Sequence, residues 1–424
     1  MRQLYTLVWC LALPLVLARL WWRGRKEPGY RRNWAERLGF YGRHGPGCHT
    51  LWVHAVSVGE TRAAEPLIDA LMAAYPESRI VLTCMTPTGR ETGKALFARH
   101  GERVVQAYLP YDIPFMLRRF IRHFVPRVCI LMETEVWPNL VATCGERVPV
   151  ALVNARLSER SLRRGRRYGS LMTDAARALA LVAAQTEADA ARIAALGARD
   201  VHVTGSVKFD VVAPDAALAT GAWLRTKIGA RAVLLCASTR DGEEALILDA
   251  CADLLALPGK PLLMLVPRHP QRFDDVAALA AARGLSLERR SQLESQLDTA
   301  PVASQVLLGD SMGEMFAYYA ACDVAFIGGS LLPLGGQNLI EACALGKPVL
   351  VGPHTFNFAQ ATEEAIATGG ALCVADAREL VSKAGELLQD AIARNAMGAR
   401  AQAFSSRHRG ATVRTVGLLR HIIY

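Results

Sequence analysis

Glu60 closes the stretch His54–Glu60, HAVSVGE, which follows an apolar run, LWV, and precedes a helical pattern, TRAAEPLIDALMAAYP. A carboxylate on a Gly-containing strand-to-helix turn is either a solvated surface group or a base aimed into a cleft. Glu133 and Glu135, in METEVWPN, form a second acidic pair that shares one face if the preceding strand continues through it. Paired carboxylates suit general acid/base work. Lys208, in GSVKFD, places an ammonium where the chain leaves its first half.

A different set of residues suits anions. Gly328–Pro348 reads GGSLLPLGGQNLIEACALGKP, an apolar strand end, a Gly-Gly-Ser turn, and a turn of Gly335, Gly336, Gln337 and Asn338. The second turn is expected to open a helix, NLIEACALG. Glycines let a ligand approach the backbone, and a helix N-terminus favours phosphate. Glu341 follows Asn338 by three residues, so both can face one ligand across the first helical turn; a carboxylate there suits ribose hydroxyls. The bland alternative is a plain strand-to-helix turn with a capping residue. Gly309, Asp310 and Ser311 of GDSMGEM form a second turn able to hold a phosphate or equally to start a helix. Arg268 and His269 stand between two prolines in VPRHP, and Arg offers a rigid fork for phosphate or carboxylate. CASTRDGEE carries Ser238 and Thr239, with Glu243 and Glu244 readable as a solvated first turn. Ser158–Gly169 holds five Arg, either a solvated loop or a contact for anionic lipid or phosphate. No H-E-x-x-H, Walker A, G-x-G-x-x-G or D-x-D pattern occurs, which disfavours a metal-dependent transferase.

These residues need elements to position them. Short apolar runs such as TLWVHAV, RIVLTCMT, RVCILMETE and VPVALVNAR alternate with helical patterns, as expected for parallel strands covered on both faces. A second series begins at AVLLCAST and runs through PLLMLVPRHP, QVLLGDS, DVAFIGGS, KPVLVGP and GALCVA. The expected fold class is therefore α/β, with two open parallel-sheet domains in tandem facing a cleft. The polar motifs follow strand ends, where such sheets bind ligands. The expected boundaries are an N-terminal segment 1–22, a first domain 23–207, a linker 208–229, a second domain 230–400 and a helical C-terminal segment 401–424.

The chain has 424 residues and a formal net charge of +10. That length fits two domains of roughly 200 residues, and the charge suggests anionic partners. No nucleic-acid recognition motif accompanies the charge, so nucleic acid is not expected. The ten Cys lack any C-x-x-C pair and are expected to be reduced, buried thiols in a cytosolic compartment. Leu4–Trp22 is nineteen residues with a single charge, Arg19. As a helix it would be ~28 Å long, near the ~30 Å hydrocarbon thickness. A block dense in Arg and Lys follows, so the positive-inside rule puts the rest of the chain in the cytoplasm. A cleaved signal peptide fits poorly, because the n-region is weakly basic and no A-x-A site precedes the block. Pro14 and Arg19 weaken a strict span, leaving a helix that spans the bilayer or lies in one leaflet.

HAVSVGE, MTPTGRETG, YLPYD, METEVWPN, NARLS, TGSVKFD, VPRHP, GDSMGEM, GGSLLPLGGQN and GPHTFNF, in this order, resemble the 3-deoxy-D-manno-octulosonic acid (Kdo) transferases of lipopolysaccharide inner-core synthesis. The resemblance runs from the N-terminal helix to about residue 360. It implies a GT-B fold of two Rossmann-like domains. It implies transfer of Kdo from CMP-Kdo to lipid IVA with inversion, with no cofactor and no metal in the chemistry, at the cytoplasmic side of the inner membrane. By that resemblance Glu60 is the general base, and Glu133 and Lys208 assist the transition state. Arg268 and His269, Gly309–Ser311 and Gly335–Asn338, with Glu341, would hold CMP. Ser311 stands where the resemblance leads one to expect Thr, and Ala342 where it leads one to expect Pro; neither removes a charge. A helix N-terminus lowers a carboxylate's pKa, so Glu60 is expected to stay ionised and to be a weak base. The alternatives are a UDP-sugar transferase of the same fold and an inactive lipid-binding module.

Overall fold

Apolar runs bounded by turn residues become two all-parallel sheets. The computed structural model describes residues 1–25, 27–42, 49–145, 147–293 and 301–423; Lys26 of the basic block and Cys48 fall outside them. The first sheet contains β1 (Thr50–His54), β2 (Arg79–Cys84), β3 (Val104–Tyr108), β4 (Pro126–Met132), β5 (Val150–Ala155), β6 (Leu181–Ala184) and β7 (Val201–Val203). Their order is β3-β2-β1-β4-β5-β6-β7. Alternate residues of β1 point to opposite faces, as the pleat requires. Leu51 and Val53 enter one core with Leu67, Ile68 and Leu71, and Trp52 enters the other with Phe120 and Leu140.

The second sheet contains β8 (Val233–Thr239), β9 (Leu262–Pro267), β10 (Leu287–Arg289), β11 (Val306–Leu308), β12 (Val324–Ile327), β13 (Val349–Val351) and β14 (Ala371–Cys373). Their order is β10-β11-β9-β8-β12-β13-β14. The α/β expectation holds, with one strand added. β10 reads LER, is half-buried at the sheet edge, and carries no apolar run to announce it. In each sheet the strand order reverses once at a central pair, β1/β4 and β8/β12, and ligands bind at such switch points.

The chain forms two compact units, residues 1–210 with 408–424, and residues 211–407. The segment 208–229 is therefore divided. Val207–Asp210 is a 3-10 turn of the first unit. The helix Asp215–Ile228 packs in the second unit so tightly on Met315–Ala321 that a Cβ on Gly221 would lie 2.8 Å from the Ala317 carbonyl oxygen. The segment 401–424 is divided too. Ala391–Arg407 belongs to the second unit, whereas the helix Ala411–Leu419 returns to the first. Ala411, Val416, Leu419 and Ile423 are buried in the first unit's core. The Asp210 carboxylate accepts the backbone N–H of Gly410 and of Thr412, each at 2.5 Å.

The N-terminal helix Arg2–Arg23 is long and apolar enough to cross a membrane by length and composition. One stripe of it, Trp9, Leu13, Val16, Leu17 and Leu20, packs on Tyr30, Tyr111, Ile113 and Met116. Thr6 and Asn139 exchange hydrogen bonds at 2.9 to 3.1 Å. The other stripe, Leu4, Leu7, Val8, Leu11 and Leu15, is exposed. Seven of the nine described Cys are buried and all nine are free, while Cys10 and Cys373 are exposed, contrary to the expectation of burial.

Removing residues 408–424 strips Val416, Leu419 and Ile423 from the first core, a loss of roughly 4.5–9 kcal/mol at ~1.5–3 kcal/mol per aliphatic side chain. That rivals the whole stability of an ordinary domain. Calorimetry of the truncated chain should show the first unit's transition lost or strongly lowered and the second unit's retained.

Candidate active site

Glu60 sits at the third position of the helix Val58–Ala63, whose N-cap is Ser57. Ser57 and Glu60 form the S-x-x-E reciprocal cap. The Ser57 hydroxyl accepts the Glu60 N–H at 3.4 Å and donates to Glu60 Oε1 at 3.3 Å. Glu60 Oε2 reaches one residue further back and accepts the Val56 N–H at 2.7 Å. The cap fixes the carboxylate at the end of β1, beside the β1/β4 switch point. The sequence predicts a depressed pKa here, and the structure reverses it. Burial pushes the Glu60 carboxyl up to about 7, and the Glu135 and Glu133 carboxylates add to the rise. The Val56 N–H and Ser57 oppose it without winning. Desolvation of a mostly buried carboxylate outweighs one turn of helix dipole. A base poised near 7 is matched to proton abstraction at neutral pH, so the expected weakness of Glu60 as a base disappears.

Glu133 and Glu135 do not share a strand face. β4 ends at Met132, and Glu133 adopts a left-handed φ of 56°. Its N–H donates to the Val153 carbonyl oxygen at 3.0 Å. The turn separates the two carboxylates. Glu133 Oε1 pairs with Lys208 Nζ at 2.7 Å, whereas Glu135 accepts the Trp137 indole N–H at 2.8 Å. Burial raises the Glu135 pKa. A left-handed Glu costs on the order of 1 kcal/mol, and such strain gathers where a side chain must be aimed.

Asn154, also left-handed at φ 51°, completes the group. Its Oδ1 accepts the Val207 N–H at 3.2 Å, and its Nδ2 lies 3.5 Å from Glu133 Oε1. It thus ties the end of β5 to the turn that carries Lys208. Nothing in its local pattern marks it, although Asn tolerates this backbone better than most residues. His54 is buried, and burial pushes its imidazole down to about 4. It is neutral at physiological pH and is no competing base.

In the second unit Arg268 and His269 follow β9, and the Arg268 N–H donates to the Thr239 carbonyl oxygen at 2.9 Å. Burial, then the charges of Arg240 and Arg268, lower the His269 pKa. Arg240 therefore belongs to this basic cluster. It was missed in CASTRDGEE because the motif's acidic pair drew the reading. Ser238 just before it has φ 55°.

The Gly309 turn follows β11 and is glycine for a steric reason. A Cβ there would lie 2.7 Å from Val266 Cγ2. The Asp310 carboxylate accepts the Ser291 N–H at 2.8 Å and the Ser291 hydroxyl at 2.7 Å. The Ser311 hydroxyl lies 2.5 Å from both Glu314 Oε2 and the Tyr318 hydroxyl. These side chains shape the turn.

The turn Gly335–Asn338 does not open a nine-residue helix. The helix is Ile340–Ala344 and starts two residues after Asn338. Gly335 and Gly336 have φ of 94° and 72°, conformations that call for glycine. The Gly336 and Gln337 N–H groups are not held out for a ligand. They donate to the carbonyl oxygens of Gly329 and Gly328 at 2.7 and 3.0 Å. Asn338 Nδ2 donates to Glu341 Oε1 at 3.0 Å, so these two side chains meet each other. Among the described residues no group of three or more His, Cys, Asp and Glu is arranged to hold a metal ion.

The raised Glu60 pKa links to stability with a definite sign. The folded state favours the protonated form, so this stabilisation is present below the ordinary value of 4.5 and is lost as pH rises through about 7. Glu60→Gln cannot ionise. Its stability relative to the parent should therefore rise by on the order of 2 kcal/mol between pH 4 and pH 8, measured by urea unfolding at both pH values.

Residues 32–211 match the family described as 3-Deoxy-D-manno-octulosonic-acid transferase (kdotransferase). The chain is 46% identical over 429 residues to the 3-deoxy-D-manno-octulosonic acid transferase of Bordetella pertussis, covering 99% of this chain and 98% of that protein. It is 38% identical over 425 residues to the enzyme of the same name from Haemophilus influenzae, with the same coverage. Among solved structures, a UDP-GlcNAc 2-epimerase from Neisseria meningitidis matches with a TM-score of 0.59 at 15% identity, over 88% of this chain and 100% of that one. Anabaena Alr3699/HepE in complex with UDP matches with a TM-score of 0.56 at 16% identity, over 88% of this chain and 99% of that one. At such identities the two structures speak to the fold alone, and they place it in the GT-B class. The near full-length match to the Bordetella and Haemophilus enzymes decides the rest: the chain belongs to the 3-deoxy-D-manno-octulosonic acid transferase family.

Proposed function

We propose that this protein transfers Kdo from CMP-Kdo to lipid IVA, the lipid A precursor, with inversion and without a metal, in lipopolysaccharide inner-core biosynthesis. The observation that carries the proposal is a Glu60 carboxylate poised near neutrality beside the Glu133–Lys208 pair, in a chain of this family. Glu60 takes the proton from an acceptor hydroxyl. The hydroxyl oxygen forms the new bond to the anomeric carbon of Kdo as the bond to the CMP phosphate breaks. The electron pair leaves with CMP. Lys208, held by Glu133, supplies fixed positive charge to the transition state. Arg268, His269 and the neighbouring Arg240 hold the CMP moiety of the donor. The turns Gly309–Ser311 and Gly335–Asn338, with Glu341, shape the nucleotide site.

A phosphorylated lipid acceptor also accounts for two surface features. The exposed stripe of the N-terminal helix presents Leu4, Leu7, Val8, Leu11 and Leu15. With its other stripe docked on protein, this helix lies along the cytoplasmic leaflet of the inner membrane. The helix Glu159–Arg167 buries only Leu162 and Gly165 and leaves Arg160, Arg163, Arg164, Arg166 and Arg167 exposed to lipid phosphates.

The test is transfer from CMP-Kdo to lipid IVA by detergent-solubilised protein with EDTA present, read by mass spectrometry. The expected product gains the mass of one or more Kdo units, and CMP rather than UDP competes with the donor. A folded, CMP-binding protein that makes no product would move the acceptor elsewhere, and activity lost to EDTA would end the metal-free mechanism. Glu60→Gln should lower kcat about 10²–10⁴-fold and abolish the rising limb of the pH–rate profile near 7. Arg268→Ala should raise the donor KM with kcat little changed, and unchanged donor affinity would reject its role. Replacing Leu7, Leu11 and Leu15 by Ser should release the protein from anionic liposomes without lowering its Tm.

A further inference from the structure

Glu243 is the first residue of the helix that follows β8, and its side chain is fully buried. The sequence suggested a solvated helix start, and the structure shows a carboxylate bridging two loops. Glu243 Oε2 accepts the Arg240 N–H at 2.9 Å and the Gly329 N–H at 2.5 Å. Glu243 Oε1 accepts the Leu331 N–H at 2.9 Å. Arg240 lies in the loop after β8, and Gly329 and Leu331 lie in the loop after β12. The carboxylate therefore ties together the two strand ends that flank the second unit's switch point.

The tie propagates. The Gly329 and Gly328 carbonyl oxygens accept the N–H groups of Gly336 and Gln337. The Ser330 carbonyl oxygen accepts the His354 N–H at 3.0 Å, and the Gly335 carbonyl oxygen accepts the Asn357 N–H at 2.9 Å. A Cβ on Gly328 would lie 2.6 Å from Thr239 Cα, so the two loops touch backbone to backbone. Three loops, after β8, β12 and β13, thus depend directly or through a neighbour on one buried carboxylate that accepts three backbone N–H groups. A solvated glycine loop would be free to sample many backbone states. A buried acceptor for three N–H groups selects one, because leaving a buried N–H unpaired is costly.

We propose that Glu243 is a positioning residue for the donor nucleotide, setting the backbone of Gly328–Gln337 and the place of Arg240 before CMP-Kdo arrives. The proposal rests on reading the second unit as the CMP-Kdo site. Glu243→Gln is nearly isosteric, yet its amide brings only one acceptor oxygen and sets an NH₂ against backbone N–H groups.

The experiment uses the full chain, with Glu243→Ala as a second variant. It measures CMP binding by calorimetry, the donor KM and kcat, and amide hydrogen exchange. The expected result is CMP binding weakened about tenfold or more, a donor KM raised by the same factor, and kcat at saturating donor within about threefold of the parent. Exchange should quicken at Gly329, Leu331, Gly336 and Gln337 while the amides of β8, β9 and β12 stay protected. Parental CMP affinity with protected loop amides overturns the proposal. So does exchange that quickens across the whole second unit, since that marks a core residue only. If the unaltered protein fails to bind CMP, the donor-site reading falls and the proposal with it, and loop exchange in the variant then reports only a structural tie.

Discussion

Both sheets are entirely parallel, and that constraint governs everything else. Parallel neighbours cannot be joined by a hairpin, so each strand hands the chain to a crossover and returns to the same starting edge. All strands therefore end together, and every polar motif of the sequence is delivered to a carboxyl edge. At the central pair of each sheet the crossovers depart to opposite faces, and the loops there part. The first unit fills that place with Glu60, Glu133, Asn154 and Lys208. The second fills it with Arg240 and the glycine turns.

The two units use carboxylates in opposite ways. Glu243 meets three backbone N–H groups and spends its acceptor capacity on holding loops. Glu60 meets one backbone N–H and a serine hydroxyl, too little to offset burial and two carboxylate neighbours. The two carboxylates thus differ in how many donors face them. In the pattern S-x-x-E a cap looks purely structural, yet here burial pushes its carboxyl up to about 7.

Several elements were legible from pattern alone. The central strands were visible as apolar runs because parallel strands covered on both faces exclude polar residues. The edge strand Leu287–Arg289 was not, since a half-buried edge tolerates charge at every position. Gly335 and Gly336 announced a special backbone, but the Gly336 and Gln337 N–H groups find their partners in Gly329 and Gly328, in the loop after β12. The start of the helix at Ile340 was hidden for the same reason. Asn338 bonds to the Ile340 N–H from outside the helix, a choice its sequence neighbours do not dictate.

By itself the sequence determined the two tandem parallel folds, the apolar N-terminal helix and the identity of the acidic and basic groups. Apolar periodicity and residue chemistry are local properties. Only the tertiary structure decided that Glu60 titrates near neutrality, that Glu133 turns to Lys208 and away from Glu135, and that Glu243 is buried. It alone brought residues 408–424 back to the first unit. Each of these depends on desolvation and on partners distant along the chain, and no local window of sequence encodes how deeply a group will be buried or which donors will meet it.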